Sequence, residues 1–234
     1  MATERRKKSQ SGQEIIEFGL TAILYIPMLI GAFVVGMNLI RNNSCNQVCR
    51  DLTDMYIHGA DFSTYGMQQI AQKLAGGLGL TIGSSYSGNS NSNTGNGGNG
   101  LVTVTQVMWV GSTSSGSCTA VQPATCTNHD SFVYTQRIQF GNGTLSNANT
   151  DTLGTAAGAT INSQGIVQNP ITDPNAKLSS TAQSTMQGLW QVTTNGQTPL
   201  NDGQIVYVVE TFFQSPDLSV GSFAGNGVYA RYFF

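Results

Sequence analysis

Four cysteines, two histidines and two carboxylates beside an apolar run are the residues whose types and spacing invite chemistry. Cys118 and Cys126 flank the short stretch SCTAVQPATC, which contains Pro123, and this spacing suits a disulfide that ties a loop. Cys45 and Cys49 are four apart in a segment expected to be helical. Their Cα atoms would then lie about 6 Å apart, inside the disulfide range, so a local bridge is within reach although it would strain the turn. Four cysteines can pair in three ways, and their use in this chain points to an oxidising compartment. A zinc site needs two cysteine pairs brought together or histidines nearby, and His58 and His129 are isolated. No GxSxG elbow is present, two scattered histidines do not make a catalytic base, and the nine acids after residue 40 lack calcium-loop spacing. The chain is therefore expected to be no enzyme, and no cofactor, metal or small-molecule substrate is expected.

The strongest element is an apolar stretch. Phe18 to Ile40 is 23 residues without a charge, and as a helix it spans roughly 35 Å, enough to cross a ~30 Å hydrocarbon core with some tilt. Arg5, Arg6, Lys7 and Lys8 precede it, and a basic cluster stays cytoplasmic. Everything after Arg41 is then expected across the membrane. A cleavable signal peptide would have a shorter apolar core and a small-x-small site, which NLIRNNSCN lacks. Glu14 and Glu17 stand at the mouth of the run. A carboxylate drawn towards hydrocarbon costs on the order of 3 kcal/mol, so Glu17, between Ile16 and Phe18, gains nothing in a plain anchor.

Composition narrows the partners. Only 9% of residues are charged, and from Gln13 onward six basic residues stand against eleven acidic ones, so nothing suggests nucleic-acid binding, which needs a basic face or stripe. Polar surface comes instead from Asn, Ser, Thr, Gln and Gly.

A basic leader, then Gly12 and Gln13, with Glu17 fifth after the glycine and aromatic Phe18 next, resembles the processing site of type IV prepilins. The wording GQEIIEFGL before an apolar helix is similar to the TadE-like pseudopilins of tight-adherence (Flp-type) systems. The resemblance implies that a prepilin peptidase cuts between Gly12 and Gln13, and that Glu17, Phe18 and Pro27 serve assembly. At the far end, an apolar strand with Glu210, then QSPDL with Pro216, then a terminal apolar strand looks like the carboxyl end of the same family. About the first 75 and last 35 residues carry the likeness.

In chain order, residues 1–12 read as a polar leader without folding signals. Residues 13–60 read as the long helix, with its transmembrane part at 18–40 and Pro27 removing the donor to the Ile23 carbonyl. Val48, Leu52, Met55 and Tyr56 continue at helical spacing, with Arg50, Asp51 and Asp54 on the wetter side. A second helix is predicted over Met67–Leu74, stopping at Gly76–Gly77. Residues 83–100, GSSYSGNSNSNTGNGGNG, read as a flexible loop that lacks a Walker lysine. From Leu101 the period becomes two. Val102, Val104, Met108 and Val110 share one strand face, opposite Thr103, Thr105 and Trp109. Phe132, Tyr134, Ile138 and Phe140 alternate likewise with Thr135, Arg137 and Gln139, and the two runs are expected to pair as an antiparallel hairpin. Residues 141–200 are weakly patterned, with a short helix over Ser179–Leu189. Gln204–Phe213 and Val228–Phe234 read as strands too apolar to leave exposed.

These observations predict an α+β, pilin-like architecture: a membrane-spanning N-terminal helix and, over residues 61–234, an extracytoplasmic domain with an antiparallel sheet that does not fold back onto the helix. The expected role is a minor pilin or pseudopilin, or the major subunit of a surface filament, or an uncleaved anchored adhesin. The expected partners are the membrane, a prepilin peptidase, and other pilin-like subunits or copies of itself. The expected place is a bacterial inner membrane, crossed once with the N-terminus cytoplasmic and the C-terminal domain periplasmic, or an extracellular filament.

Overall fold

A computed structural model describes residues 4–122, 125–147, 149–190, 200–214 and 227–234. The chain divides into two units, Met1–Arg41 and Asn42–Phe234. The first is helical throughout its described part, and the second holds the sheet.

Helix α1 runs from Glu4 to Ile57 and carries Pro27 inside it. It starts well before the expected Gln13. Lys, Arg, Gln and Glu are good helix formers, and nothing before Gly12 breaks the chain. In the first unit the large apolar side chains from Phe18 to Ile40 are mostly exposed. An 18-residue window there has mean hydropathy 2.2 and none of it is buried, so this part is long and apolar enough to span a membrane.

The second unit is built on a five-stranded sheet in the order β1-β3-β2-β4-β5: β1 Ser92–Gly95, β2 Gly100–Val110, β3 Ser131–Asn142, β4 Ile205–Phe213 and β5 Val228–Phe233. Helices α2 (Tyr65–Leu74), α3 (Gly116–Ala120) and α4 (Ser180–Leu189) complete it. The β2–β3 hairpin pairs as predicted, with Val102 opposite Phe140 and Val104 opposite Ile138. The sheet is mixed, however, because β1 runs parallel to β3.

That strand lies inside the stretch expected to be a flexible loop. Side-chain amides order it. Asn93 donates to Gln68 Oε1 at 2.6 Å, and Asn89 donates to Asp61 Oδ2 and Ser63 Oγ. The Tyr86 hydroxyl closes on the Ser63 carbonyl at 2.7 Å. A stretch poor in apolar residues is thus fixed by hydrogen bonds to the loop before α2 and to α2 itself.

A second departure concerns β3. Gln106 faces Gln136 but Val107 faces Tyr134, so Thr135 is an extra residue and forms a bulge. The bulge inverts the side-chain parity. Ile138 and Phe140 join the core on the α1 side, whereas Phe132 and Tyr134 pack on the opposite face, with Val107 and Trp109. The four do not share one face as the simple alternation implied.

Both faces are covered. On one, Cys45, Val48, Cys49, Leu52 and Tyr56 of α1 pack with Val102, Val104, Ile138, Phe140, Val209 and Phe213. The sheet domain therefore does fold onto the second half of the helix, contrary to expectation. On the other face, the weakly patterned stretch supplies Leu153, Ala156, Val167, Leu178, Ala182 and Met186. It also closes the outer edge of β3. Gln183 of α4 binds both the N–H and the carbonyl of Phe132, Val167 N–H reaches Thr135, and Arg137 N–H reaches Gly165.

Under this cover lies a polar layer. Arg137 pairs with Asp151 at 2.5 Å, and both side chains are buried. Glu210 Oε1 accepts from Thr152 N–H at 3.0 Å and from the Tyr229 hydroxyl at 2.5 Å. Arg231 donates to Thr152 and lies over the Phe233 ring. Burial pushes the Asp151 carboxyl above its ordinary range, Arg137 opposes that shift, and Glu210 adds to it. Desolvation outweighs the attraction, as for most buried pairs. Arg137→Met, which leaves Asp151 buried and unpaired, should cost roughly 3–5 kcal/mol in denaturant unfolding of the detergent-solubilised chain. The double variant Arg137→Met/Asp151→Leu should recover much of that loss. Equal midpoints for the single and double variants would show that the pair is not what holds this layer.

Candidate functional site

The residues singled out for processing and assembly lie along the first part of α1. Gly12, Gln13, Glu14, Glu17 and Phe18 are all exposed there. Helical spacing puts Gln13, Glu17 and Thr21 one turn apart on a single face, and Glu14 joins Glu17 at three residues. The Thr21 hydroxyl donates to the Glu17 carbonyl at 2.7 Å, which leaves the Glu17 carboxylate available. A free α-amino group at residue 13 would be one helical turn from that carboxylate. Pro27 follows further along the same helix. The leader's side chains and Pro216 lie outside the described residues.

The cysteines divide into two kinds. Cys118 and Cys126 are bonded, with Cα atoms 5.2 Å apart. Pro123 between them lies outside the described residues. Their loop is also held from outside, because Asp202 accepts the N–H of Gly111 and of Ser117 at 2.7 Å each. Cys45 and Cys49 are free and fully buried, so the local bridge considered for them is not formed. Their sulfurs turn to the sheet instead. Cys45 Sγ is 3.4 Å from Thr211 Oγ1, and Cys49 Sγ donates to the Val209 carbonyl at 3.2 Å.

His58 and His129 each sit beside one exposed aspartate, Asp54 and Asp130, in different parts of the unit. Among the described residues no three His, Cys, Asp or Glu side chains gather to hold a metal. An open groove of about 490 Å³ runs between Arg50, Asp54 and Ile57 of α1 and Tyr232–Phe234 beside the β5 edge. Sequence reasoning missed the Arg137–Asp151–Glu210 layer. Its only signal was one arginine and one glutamate inside strands otherwise too apolar to face water.

No protein-family model, curated protein or solved structure matches the chain.

Asp202 generates a pH prediction. Burial alone would raise its carboxyl, but the N–H groups of Gly111 and Ser117 and the hydroxyls of Ser117 and Ser115 prevail and hold it below its ordinary range. A depressed acid contributes stability that is present above its unfolded value of about 3.9 and is lost as pH falls through the lower folded value. Asp202→Asn should therefore lower stability at neutral pH and flatten the acid limb below about pH 4. Equilibrium unfolding across that window reads both effects, and an unchanged acid limb would count against this role.

Proposed function

We propose that the chain is a pilin-like structural subunit, a minor pilin or pseudopilin of a tight-adherence, type IV-like assembly or secretion system. One observation carries the reading. Helix α1 is apolar and exposed over 18–40, is packed under a sheet from Cys45 to Tyr56, and is headed by Gly12–Gln13 with Glu17 at the fifth place beyond the glycine. Such a helix works in two solvents. Its first part suits lipid before assembly and other helices afterwards, while the domain fixed to its second part is presented outside. The precursor then sits in a bacterial inner membrane with its leader in the cytoplasm and its sheet domain in the periplasm, and an assembled filament carries that domain outwards. Its partners are the processing peptidase, lipid, and other subunits of the same helical kind, and its work is scaffolding.

Gly12 has no Cβ, so the backbone on either side of the scissile bond can enter a peptidase site closely. Gly12→Val should leave the full-length precursor, whereas the native chain extracted from membranes should begin at Gln13 by N-terminal sequencing. A native chain that keeps its leader would favour the uncleaved adhesin, and unchanged cleavage of Gly12→Val would remove the prepilin reading.

Glu17 generates the second test. In a packed helix bundle an unpaired carboxylate is costly, and cleavage supplies a cation, the α-amino group of Gln13 on the same or a neighbouring subunit. At an effective dielectric near 20, charges about 4 Å apart gain roughly 4 kcal/mol before desolvation is subtracted. The remainder depends on axial position, so it favours one register between subunits. Glu17→Gln should leave insertion and cleavage intact but abolish incorporation into the assembly, while Glu14→Gln should be much milder. Equal effects of the two substitutions in a pull-down of assembled subunits would reduce Glu17 to a solvated headgroup residue.

A further inference from the structure

One unit of this chain holds both a formed disulfide and a pair of free thiols. Backbone spacing does not explain the difference. Cys45 and Cys49 are one helical turn apart, and Cα atoms about 6 Å apart lie within the range that disulfides use. What separates them from Cys118 and Cys126 is the seam between α1 and the sheet. Both thiols have zero exposure, and each is engaged with a different strand position. Cys45 Sγ lies 3.4 Å from Thr211 Oγ1 and 3.8 Å from the Val228 carbonyl. Cys49 Sγ reaches the Val209 carbonyl at 3.2 Å. Val48 and Leu52, on the same stripe, shut the seam around them.

We propose that Cys45 and Cys49 form a cryptic redox site, sheltered while α1 is docked on the sheet and oxidised to an intrahelical disulfide when the seam opens. The step is thiol–disulfide exchange with a small disulfide such as oxidised glutathione. One thiolate attacks a glutathione sulfur, a mixed disulfide forms and one glutathione thiolate leaves. The second thiolate then displaces the other glutathione. Two protein thiols lose two electrons and two protons, and one disulfide becomes two thiols. The bridged sulfurs face each other, so neither can return to Thr211 or Val209. Oxidation therefore holds the second half of α1 off the sheet until a reductant acts. The proposal extends the subunit reading, because it concerns how the outer domain stays fixed to the helix, and its readout is independent of leader cleavage.

The test uses the detergent-solubilised full chain. Maleimide should label neither thiol in the native protein and both in guanidinium, with labelling rising at guanidinium concentrations below global unfolding. Leu52→Ala, which opens the seam without touching a sulfur, should speed native labelling by roughly tenfold or more. Incubation with oxidised glutathione at that sub-denaturing concentration should convert the tryptic peptide Asn42–Arg50, which contains both cysteines, to a form lighter by two hydrogens. After the guanidinium is removed, that chain should remain more labile to denaturant until a reductant is added. Labelling of the native protein at the rate of an open thiol, or a peptide already oxidised on extraction, would overturn the shelter. Equal denaturant midpoints for the oxidised and reduced chains would overturn the lock. Should Leu52→Ala fail to fold, the guanidinium series on the native sequence decides the question alone.

Discussion

The structure depends on burying one stripe of α1 against the sheet. Cys45, Val48, Cys49, Leu52 and Tyr56 lie on one helical face, and they share a core with Val102, Val104, Ile138, Phe140, Val209 and Phe213 of the strands. A fully buried large apolar side chain contributes about 1.5–3 kcal/mol, so the stripe supplies a major share of the stability of the unit. The small sulfurs of Cys45 and Cys49 matter here. They let the helix approach the strands closely and contact Thr211 and the Val209 carbonyl, where larger side chains would hold it away. Tyr56 closes the far end with its ring edge-on to Tyr207 and its hydroxyl on Gln136. The same helix, earlier in the chain, exposes most of its large apolar side chains between Phe18 and Ile40, a run long and apolar enough to span a membrane.

Covering one sheet face with a helix leaves the other face and two edges to be managed. The described part of the long stretch between β3 and β4 covers that face and the part of β3 that β1 leaves unpaired, and it does so with little regular structure. It lays a second apolar cluster on the sheet, caps the β3 edge with main-chain and Gln183 hydrogen bonds, and places Asp151 and Thr152 over the charged residues of the strands. The bulge at Thr135 makes this division workable. Because it inverts parity, one strand supplies aromatic residues to both cores, Phe140 to the helix side and Phe132 and Tyr134 to the other.

Much of this was legible from residue patterns. The spans of α2, α4, β2, β4 and β5 fall within a few residues of where residue patterns place them, and the structure adds that Ser179 caps α4 by accepting from Ala182 N–H. The Cys118–Cys126 bond follows from its spacing. What stayed hidden depends on contacts distant in sequence. An extra residue in β3 leaves no local mark, because Thr135 suits a regular strand as well as a bulge. Order in 83–100 was invisible because Asn, Ser and Gly are also what disordered loops contain. Their amides and hydroxyls specify structure only once Asp61, Ser63 and Gln68 are positioned to receive them. Arg137 and Asp151 are fourteen residues apart and neither carries a motif, so their pairing could not be read in advance.

The scarcity of charge links the interior to the surface. With 9% of residues charged, and Arg137, Asp151 and Glu210 already committed to the interior, little remains outside to create a field. Long-range steering, which can raise association rates by orders of magnitude, is then weak for the sheet domain. A partner must instead be recognised at contact range, through shape and through amide and hydroxyl hydrogen bonds, and at rates near those of uncharged pairs. For the subunit proposed above, held in a bilayer by its helix, this is a workable arrangement. On that proposal the membrane supplies encounter by raising effective concentration, the helix supplies register, and the polar uncharged exterior limits premature association between domains before the helices have met.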